Sequence, residues 1–393
     1  MTIRSDMPIA ILAEKTCGGT EVRIYGMLDA LAPLTDNQCL PRRKRCGGMF
    51  QSLLAEVLHC AIDERVLMVN SAADPCVSHV VRQLRAGELL LAEDNIAAWE
   101  QARAVVAGLG KAGPRLRHVA FHEYALREAP ATMDAAVMNI LYQPNNAWMQ
   151  YGVRLAAYAL KVGGRLYIEG AKDRGILSLG RRVQEMFGNL ETLEISKGRR
   201  VICALKGAEE DAELAPPELA AFAGGKMDEG TSLLLDSLEV RATDVALDLG
   251  CGAGFIGAHI AERAGKGQVI LVDASLASVA AARKLLDERG LTNAQVLASD
   301  GIQAVREQRF SLVATNPPFH LGGIQTTAIA ERFIREAAHV LHPRGRFYLV
   351  ANRFLKYEPA LRECFGELEE VGGNTRFKVL RAGLPCQMKP NGR

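Results

Sequence analysis

Five consecutive residues, Asn316-Pro317-Pro318-Phe319-His320, follow the apolar run Ser311-Leu312-Val313-Ala314-Thr315 and hold the densest chemistry in the chain. The run reads as a buried strand that ends at Asn316. Two prolines directly after a strand stop the ladder, because they lack an N–H and lock φ. Two acceptors are then exposed at the strand end, the Asn316 side-chain oxygen and the Pro317 carbonyl, with Phe319 as a flat face beside them. Such a set suits a planar group carrying an NH2. Holding both N–H bonds turns the nitrogen lone pair toward an electrophile and stabilises the positive charge that builds on nitrogen. Phe319 would stack on the plane, as readers of an extruded base do. His320 either donates to the base or packs.

A second set precedes it, Asp248-Leu249-Gly250-Cys251-Gly252-Ala253-Gly254. Gly250, Gly252 and Gly254, between a strand and a helix, fit close backbone approach to a nucleotide cofactor. Phe255 stands where a dinucleotide loop needs glycine, which disfavours NAD and FAD. Asp273 closes the next strand, placed to accept both ribose hydroxyls or to cap a helix. Asp300, after the strand Ala294 to Ala298, either accepts an adenine amino group or forms the turn before Gly301. Asp248 orients the loop or meets a cofactor ammonium. Cys251 reads as a small filler.

Positioning these residues takes alternating strands and helices. Strands are expected at Val245–Asp248, Gln268–Asp273, 294–298, 311–315 and Arg346–Val350, with a helix from about Phe255 to Arg263. The first half repeats the pattern about 180 residues earlier, with strands at Val66–Val69, Glu88–Ala92, Ala136–Leu141 and Gly164–Glu169, and a helix from Met49 to Cys60. Gly87-Glu88-Leu89-Leu90-Leu91-Ala92-Glu93 matches Gly267-Gln268-Val269-Ile270-Leu271-Val272-Asp273, and Lys161–Ile168 matches His342–Leu349. Several matches in the same order at nearly constant spacing indicate duplication. The fold expected is α/β, two tandem doubly wound and mostly parallel sheets. The first copy has Asn70-Ser71-Ala72-Ala73-Asp74-Pro75 in place of the glycines and Ile140-Leu141-Tyr142-Gln143-Pro144 in place of the Asn-Pro-Pro-Phe run. Cβ atoms and a proline crowd that loop, so the first copy reads as catalytically empty. Residues 1–207 form the degenerate domain, 208–224 an alanine-rich, acidic linker through Pro216-Pro217, and 225–393 the catalytic domain.

The 393 residues carry 49% hydrophobic and 23% charged side chains and a net charge of +2, which excludes a general affinity for polyanions. Any nucleic-acid surface must be local, and the basic cluster Pro41-Arg42-Arg43-Lys44-Arg45 is one candidate, or a solvated loop. No apolar run is long enough to span a bilayer, and the start lacks the pattern of a secretory signal. Nine cysteines are scattered without C-x-x-C or zinc spacing, which fits reduced thiols in a cytoplasmic protein that holds no metal.

The glycine loop, Asp273, Asp300 and Asn-Pro-Pro-Phe-His resemble those of class I S-adenosylmethionine-dependent methyltransferases acting on exocyclic amino groups. More closely, the chain is similar to the ribosomal RNA guanine-N2 methyltransferases of the RsmC/RlmG type. Met227–Leu235, Tyr348–Tyr357 and Thr375–Val379 carry the same resemblance. It implies S-adenosyl-L-methionine as cofactor, held by the second domain at Asp248, the three glycines, Asp273, Asp300 and Asn316, with Asn316, Pro317 and Phe319 facing the acceptor. It implies ribosomal RNA or the small ribosomal subunit as partner, a monomer, and methylation of guanosine N2 in 16S rRNA. The first domain would then serve RNA recognition or structural support, through basic groups such as Arg42 to Arg45 or Lys197, Arg199 and Arg200; from its residues alone it could equally be a packing partner. Methylation of 23S rRNA guanine N2, adenine N6 or a protein glutamine stays open, as does an RNA-binding assembly protein without activity. Leu321-Gly322 departs from the Asp-Gly frequent in the family after the histidine.

Overall fold

The computed structural model describes residues 52–110, 113–207, 214–215, 217, 226–318 and 327–386, with isolated backbone segments elsewhere. Two seven-stranded sheets dominate it. The first comprises β1 (Arg65–Val69), β2 (Glu88–Ala92), β3 (Arg115–Val119), β4 (Met133–Asn139), β5 (Leu160–Ala171), β6 (Glu191–Ser196) and β7 (Arg199–Leu205). The second comprises β8 (Val245–Leu249), β9 (Gln268–Asp273), β10 (Ala294–Ala298), β11 (Phe310–Thr315), β12 (Leu341–Asn352), β13 (Phe365–Gly373) and β14 (Phe377–Pro385). The spatial orders are β6-β7-β5-β4-β1-β2-β3 and β10-β9-β8-β11-β12-β14-β13, so each strand has its counterpart in the other copy. Five strands of each sheet run parallel, and a two-stranded antiparallel flap closes one edge.

Apolar runs such as Val66–Val69 and Leu312–Ala314 are buried because helices cover both faces of each sheet. Helices α1 (Cys76–Gln83), α2 (Ile96–Ala107), α3 (Asn146–Ala159) and α4 (Ile176–Phe187) flank the first sheet. Helices α5 (Glu229–Ser237), α6 (Phe255–Arg263), α7 (Leu276–Glu288), α8 (Ala328–Val340) and α9 (Glu358–Cys364) flank the second. The ends of β8, β11 and β12 opposite the site are tied by Asp244, which accepts from the Arg346 guanidinium at 2.6 and 2.7 Å and from the Ser311 hydroxyl at 2.7 Å.

Four expectations need correction. Of the helix expected from Met49 to Cys60, the described residues from 52 on form a single turn, Leu54–Val57, and Leu58 is already extended. The strand expected at 136–141 begins at Met133 and gives way at Ile140 to a short 3-10 turn, because the Asn139 side chain caps Leu141. The strands expected at 164–169 and 346–350 are both longer, spanning Leu160–Ala171 and Leu341–Asn352. Strands β3, β6, β7, β13 and β14 were not anticipated. The basic cluster at Arg42 to Arg45 lies outside the described residues, as does most of the linker. Leu214 is buried against the first domain's core.

The two copies meet at equivalent residues. Asn95 and Ser275, 180 positions apart, face each other in an antiparallel bridge. The Ile96 N–H donates to the Ala274 carbonyl and the Leu276 N–H to the Asp94 carbonyl, both at 2.9 Å. Position 94 corresponds to 274 and 96 to 276, so the exchange is reciprocal, as across a local two-fold axis. Each turn opens a helix, with Asn95 capping α2 and Ser275 capping α7.

Candidate functional site

The glycine loop turns from β8 into α6 over the end of β9, with the Gly250 and Cys251 N–H groups both donating to the Val272 carbonyl at 2.9 Å. Gly250, Gly252 and Gly254 all have positive φ. At Gly250 a Cβ would also sit 2.8 Å from the Phe333 ring of α8, so no side chain fits there. At Gly252 a Cβ would meet nothing within 4 Å. The loop therefore opens bare backbone onto free space.

Three carboxylates surround it. Asp248 is fully buried; its Oδ2 accepts from the Gly257 N–H at 2.7 Å, and its Oδ1 has no hydrogen bond. Burial pushes its pKa up to about 7, the Gly257 N–H works against that, and the charge of Asp273 adds to it. Asp273 braces the loop: its Oδ2 accepts from the Gly252 N–H at 2.9 Å and its Oδ1 from the Ser275 N–H at 2.8 Å. Burial raises its pKa, and the N–H donors oppose the rise. Helix α7 is capped by Ser275 instead, whose Oγ accepts from the Ser278 N–H, so the helix-cap reading of Asp273 does not hold. Asp300 precedes Gly301, whose φ is +57°, and its Oδ1 accepts from Arg332 at 2.5 Å. One oxygen is thus committed to a brace, and the other has no hydrogen bond among the described residues. Burial pushes the Cys251 thiol well up, which fits an inert filler.

Asn316 emerges at the carboxyl end of β11, beside this loop. Thr315, fully buried, ties the two strand ends together through its hydroxyl, which donates to the Leu249 carbonyl at 2.7 Å. The Asn316 amide is clamped: its Nδ2 donates to the two Asp228 carboxylate oxygens at 3.2 and 3.1 Å and to the Thr231 hydroxyl at 2.9 Å. Only the amide nitrogen can face these acceptors, so Oδ1 points the other way. It has no hydrogen bond among the described residues. Pro317 is buried and Pro318 exposed; Phe319 lies outside the described residues.

Sequence reasoning missed Asp228, the cap of α5, whose Oδ1 also accepts from the Thr231 N–H at 2.6 Å. The cap signal was present as Asp-x-x-Thr before an apolar helix. It also missed Arg332 and Phe333, which reach the site from a distant helix. Among the residues expected to contact RNA, Arg199 is ion-paired with the buried Glu169. Lys197 is exposed.

The corresponding loop of the first domain is filled by its own side chains. Gln143 donates to the Asn70 carbonyl at 2.9 Å, and Asn139 donates to Asp74 at 2.7 Å. Glu93, the counterpart of Asp273, is buried and accepts from the Ala72 N–H at 2.8 Å.

An unpartnered buried carboxylate oxygen, open glycine backbone and a second carboxylate at the strand end fit an amino-acid-bearing nucleoside cation such as S-adenosylmethionine. Comparison with known proteins decides the family. The family described as Methyltransferase small domain matches residues 217–381. A ribosomal RNA small subunit methyltransferase C from Shewanella pealeana is 32% identical over 261 residues, 61% of this chain and 75% of its own. The chain belongs to that family. Its namesake from Pseudomonas putida is 30% identical, with 79% of this chain and 99% of its own length covered. A solved T. thermophilus 16S rRNA N2 G1207 methyltransferase, in complex with AdoMet and guanosine, superposes with a TM-score of 0.72 at 28% identity. That match covers 95% of this chain and 98% of the other, so both domains of the family fold are present. The protein is an S-adenosylmethionine-dependent methyltransferase. No helix among the described residues is long and apolar enough to cross a membrane.

Proposed function

We propose that the protein transfers a methyl group from S-adenosylmethionine to the exocyclic N2 of a guanosine in the 16S rRNA of the small ribosomal subunit. The observation that carries this reading is the clamp on Asn316. With Nδ2 fixed by Asp228 and Thr231, the side chain offers an acceptor and no donor to the acceptor group. The bound cofactor supplies an electrophilic methyl group on a sulfonium. The chain's part is to position the amine and stabilise its developing charge. Asn316 Oδ1 and the Pro317 carbonyl accept the two N–H bonds of the guanine amine, and Phe319 stacks on the base. On the cofactor side, Gly250, Gly252 and Gly254 give the backbone approach and Asn316 borders the methyl donor. Asp248 meets the ammonium, Asp273 the ribose hydroxyls and Asp300 the adenine amino group.

The first domain, residues 1–207, binds no cofactor and serves RNA recognition or support. Residues 208–224 link it to the catalytic domain, 225–393. The protein acts as a monomer in the cytoplasm, on ribosomal RNA or the small subunit. The test is labelled methyl transfer to naked 16S and 23S rRNA, to both subunits and to protein, followed by nucleoside and amino-acid analysis. N2-methylguanosine in 16S rRNA is expected. Label in 23S rRNA, N6-methyladenosine or methylglutamine overturns the assignment.

A further inference from the structure

The domain junction is reciprocal in its backbone but not in its side chains. Helix α2 caps itself: Asn95 Oδ1 accepts from the N–H groups of Ala97 and Ala98 at 2.9 and 3.3 Å. Helix α7 does not. Its Ser275 takes only the Ser278 N–H, and the Ala277 N–H, counterpart of that of Ala97, donates at 2.8 Å to Oδ1 of Asp94 in the other domain. At the position equivalent to Asp94 the second domain has Ala274, which cannot return the bond. Asp94 is 5% exposed, and Ala277 is fully buried and packs into the first domain's core. The clamp is itself held from behind, since Glu93 Oε1 accepts the N–H groups of Asp94 and Asn95 at 3.1 and 2.9 Å. The carboxylate that faces a ribose in an active copy is thus used here to fix its neighbour.

What the clamp holds is the turn behind Asp273. The Ser275 N–H is the donor that fixes Asp273 Oδ1, and Asp94 holds the next two N–H groups, that of Leu276 through its carbonyl and that of Ala277 through its side chain. We propose that Asp94 of the first domain is a positioning residue for the cofactor site of the second, fixing the 274–277 turn so that Asp273 is presented to the cofactor ribose. The inference rests on the assignment of Asp273 made above. It gives the degenerate domain a task in the active site that is independent of RNA.

The test is calorimetric titration of the full chain with S-adenosylmethionine, alongside steady-state kinetics. Asp94→Ala should weaken binding about ten-fold, the scale of one lost buried hydrogen bond, and raise KM for the cofactor with kcat within two-fold. Asp94→Asn keeps an acceptor and should stay within two-fold of wild type. In the double variant Asp94→Ala/Asp273→Ala, affinity should equal that of Asp273→Ala, because the turn no longer has a carboxylate to aim. Should Asp94→Ala not fold, Asp94→Ser takes its place, its shorter side chain withdrawing the acceptor. Wild-type affinity in Asp94→Ala, or additive losses in the double variant while Asp273→Ala is itself impaired, overturns the positioning role and leaves the cofactor site intact. Full affinity in Asp273→Ala takes down the cofactor assignment and this inference together.

Discussion

Asp248 gives a proton-linked prediction. It is fully buried, one of its oxygens has no partner, and burial holds its pKa at about 7. Below pH 7 the free protein therefore carries a proton on Asp248, and a cation arriving at that oxygen must displace it. If only the ionised form binds, the apparent Kd scales with one plus ten to the power (7 minus pH), so affinity should rise about fifteen-fold from pH 5.5 to 7. The window stays below the titration of the cofactor's own α-amino group, about 7.7–8.0 for such amines. The assay is calorimetric titration at several pH values, each in two buffers of different ionisation enthalpy, which gives affinity and protons released together. Release should approach one proton per cofactor at pH 5.5 and about a half at pH 7. Glu93 and Glu336, each at about 7, and Asp94, at about 6, titrate in the same range, so Asp248→Asn is the necessary control. It should bind more weakly and with a flat pH profile. A flat wild-type profile, or a slope that survives in Asp248→Asn, refutes the contact.

The same carboxyl makes a stability prediction in the cofactor-free protein. Its pKa is raised above the ordinary 3.8, so only the folded state binds the proton between pH 3.8 and about 7 and stability is lost as pH rises through that window. Relative to wild type, Asp248→Asn should gain roughly 4 kcal/mol between pH 4 and 8 by urea denaturation; no gain contradicts the burial cost. Asn316→Ala should cut kcat about 10²–10³-fold with cofactor Kd within three-fold, whereas equal losses in both would place Asn316 on the cofactor alone. Asp228→Ala should lower kcat about ten-fold through the freed amide and destabilise by about 1 kcal/mol through the lost cap. Arg346→Ala, which strands the buried Asp244, should cost about 3–5 kcal/mol in chemical denaturation; under 1 would mean the pair is dispensable.

The sequence was legible where burial and chemistry coincide. Strand β2 has the bounds read from Glu88-Leu89-Leu90-Leu91-Ala92, because a strand covered on both faces is apolar throughout. Strand β3, Arg-Leu-Arg-His-Val, was missed because its arginine at 117 is neutralised by Glu88 and Glu128, partners far away in sequence. The flap strands β6 and β13 carry charge runs, Glu191-Thr192-Leu193-Glu194 and Glu367-Leu368-Glu369-Glu370, since an edge strand is half solvated and charge protects it from pairing. At the site, the glycines and Asn316 stood out because each has one backbone or hydrogen-bonding task. Their supports did not, because Asp228, Arg332 and Phe333 are ordinary helix residues until the fold brings them to the loop.

The junction is one place where the two copies of one fold differ. A reciprocal contact joins the turns that follow β2 and β9, so each copy presents the end of its second strand to the other. A symmetric pair would carry two carboxylates, at 93 and 273, close to one interface. Across that interface the charge of Asp273 already raises the pKa of Asp94, which burial raises most. Keeping both ionised beside two bound cations would require two open pockets at the join. The first copy resolves this by collapsing its loop onto Gln143, Asn139 and Asp74, which turns Glu93 inward onto three backbone N–H groups. Its neighbour Asp94 is then free to reach across. The collapsed loop and the residue that reaches across are thus linked through Glu93, and restoring glycines at 70–75 should weaken cofactor binding at the second site, read by calorimetric titration, before it creates a first.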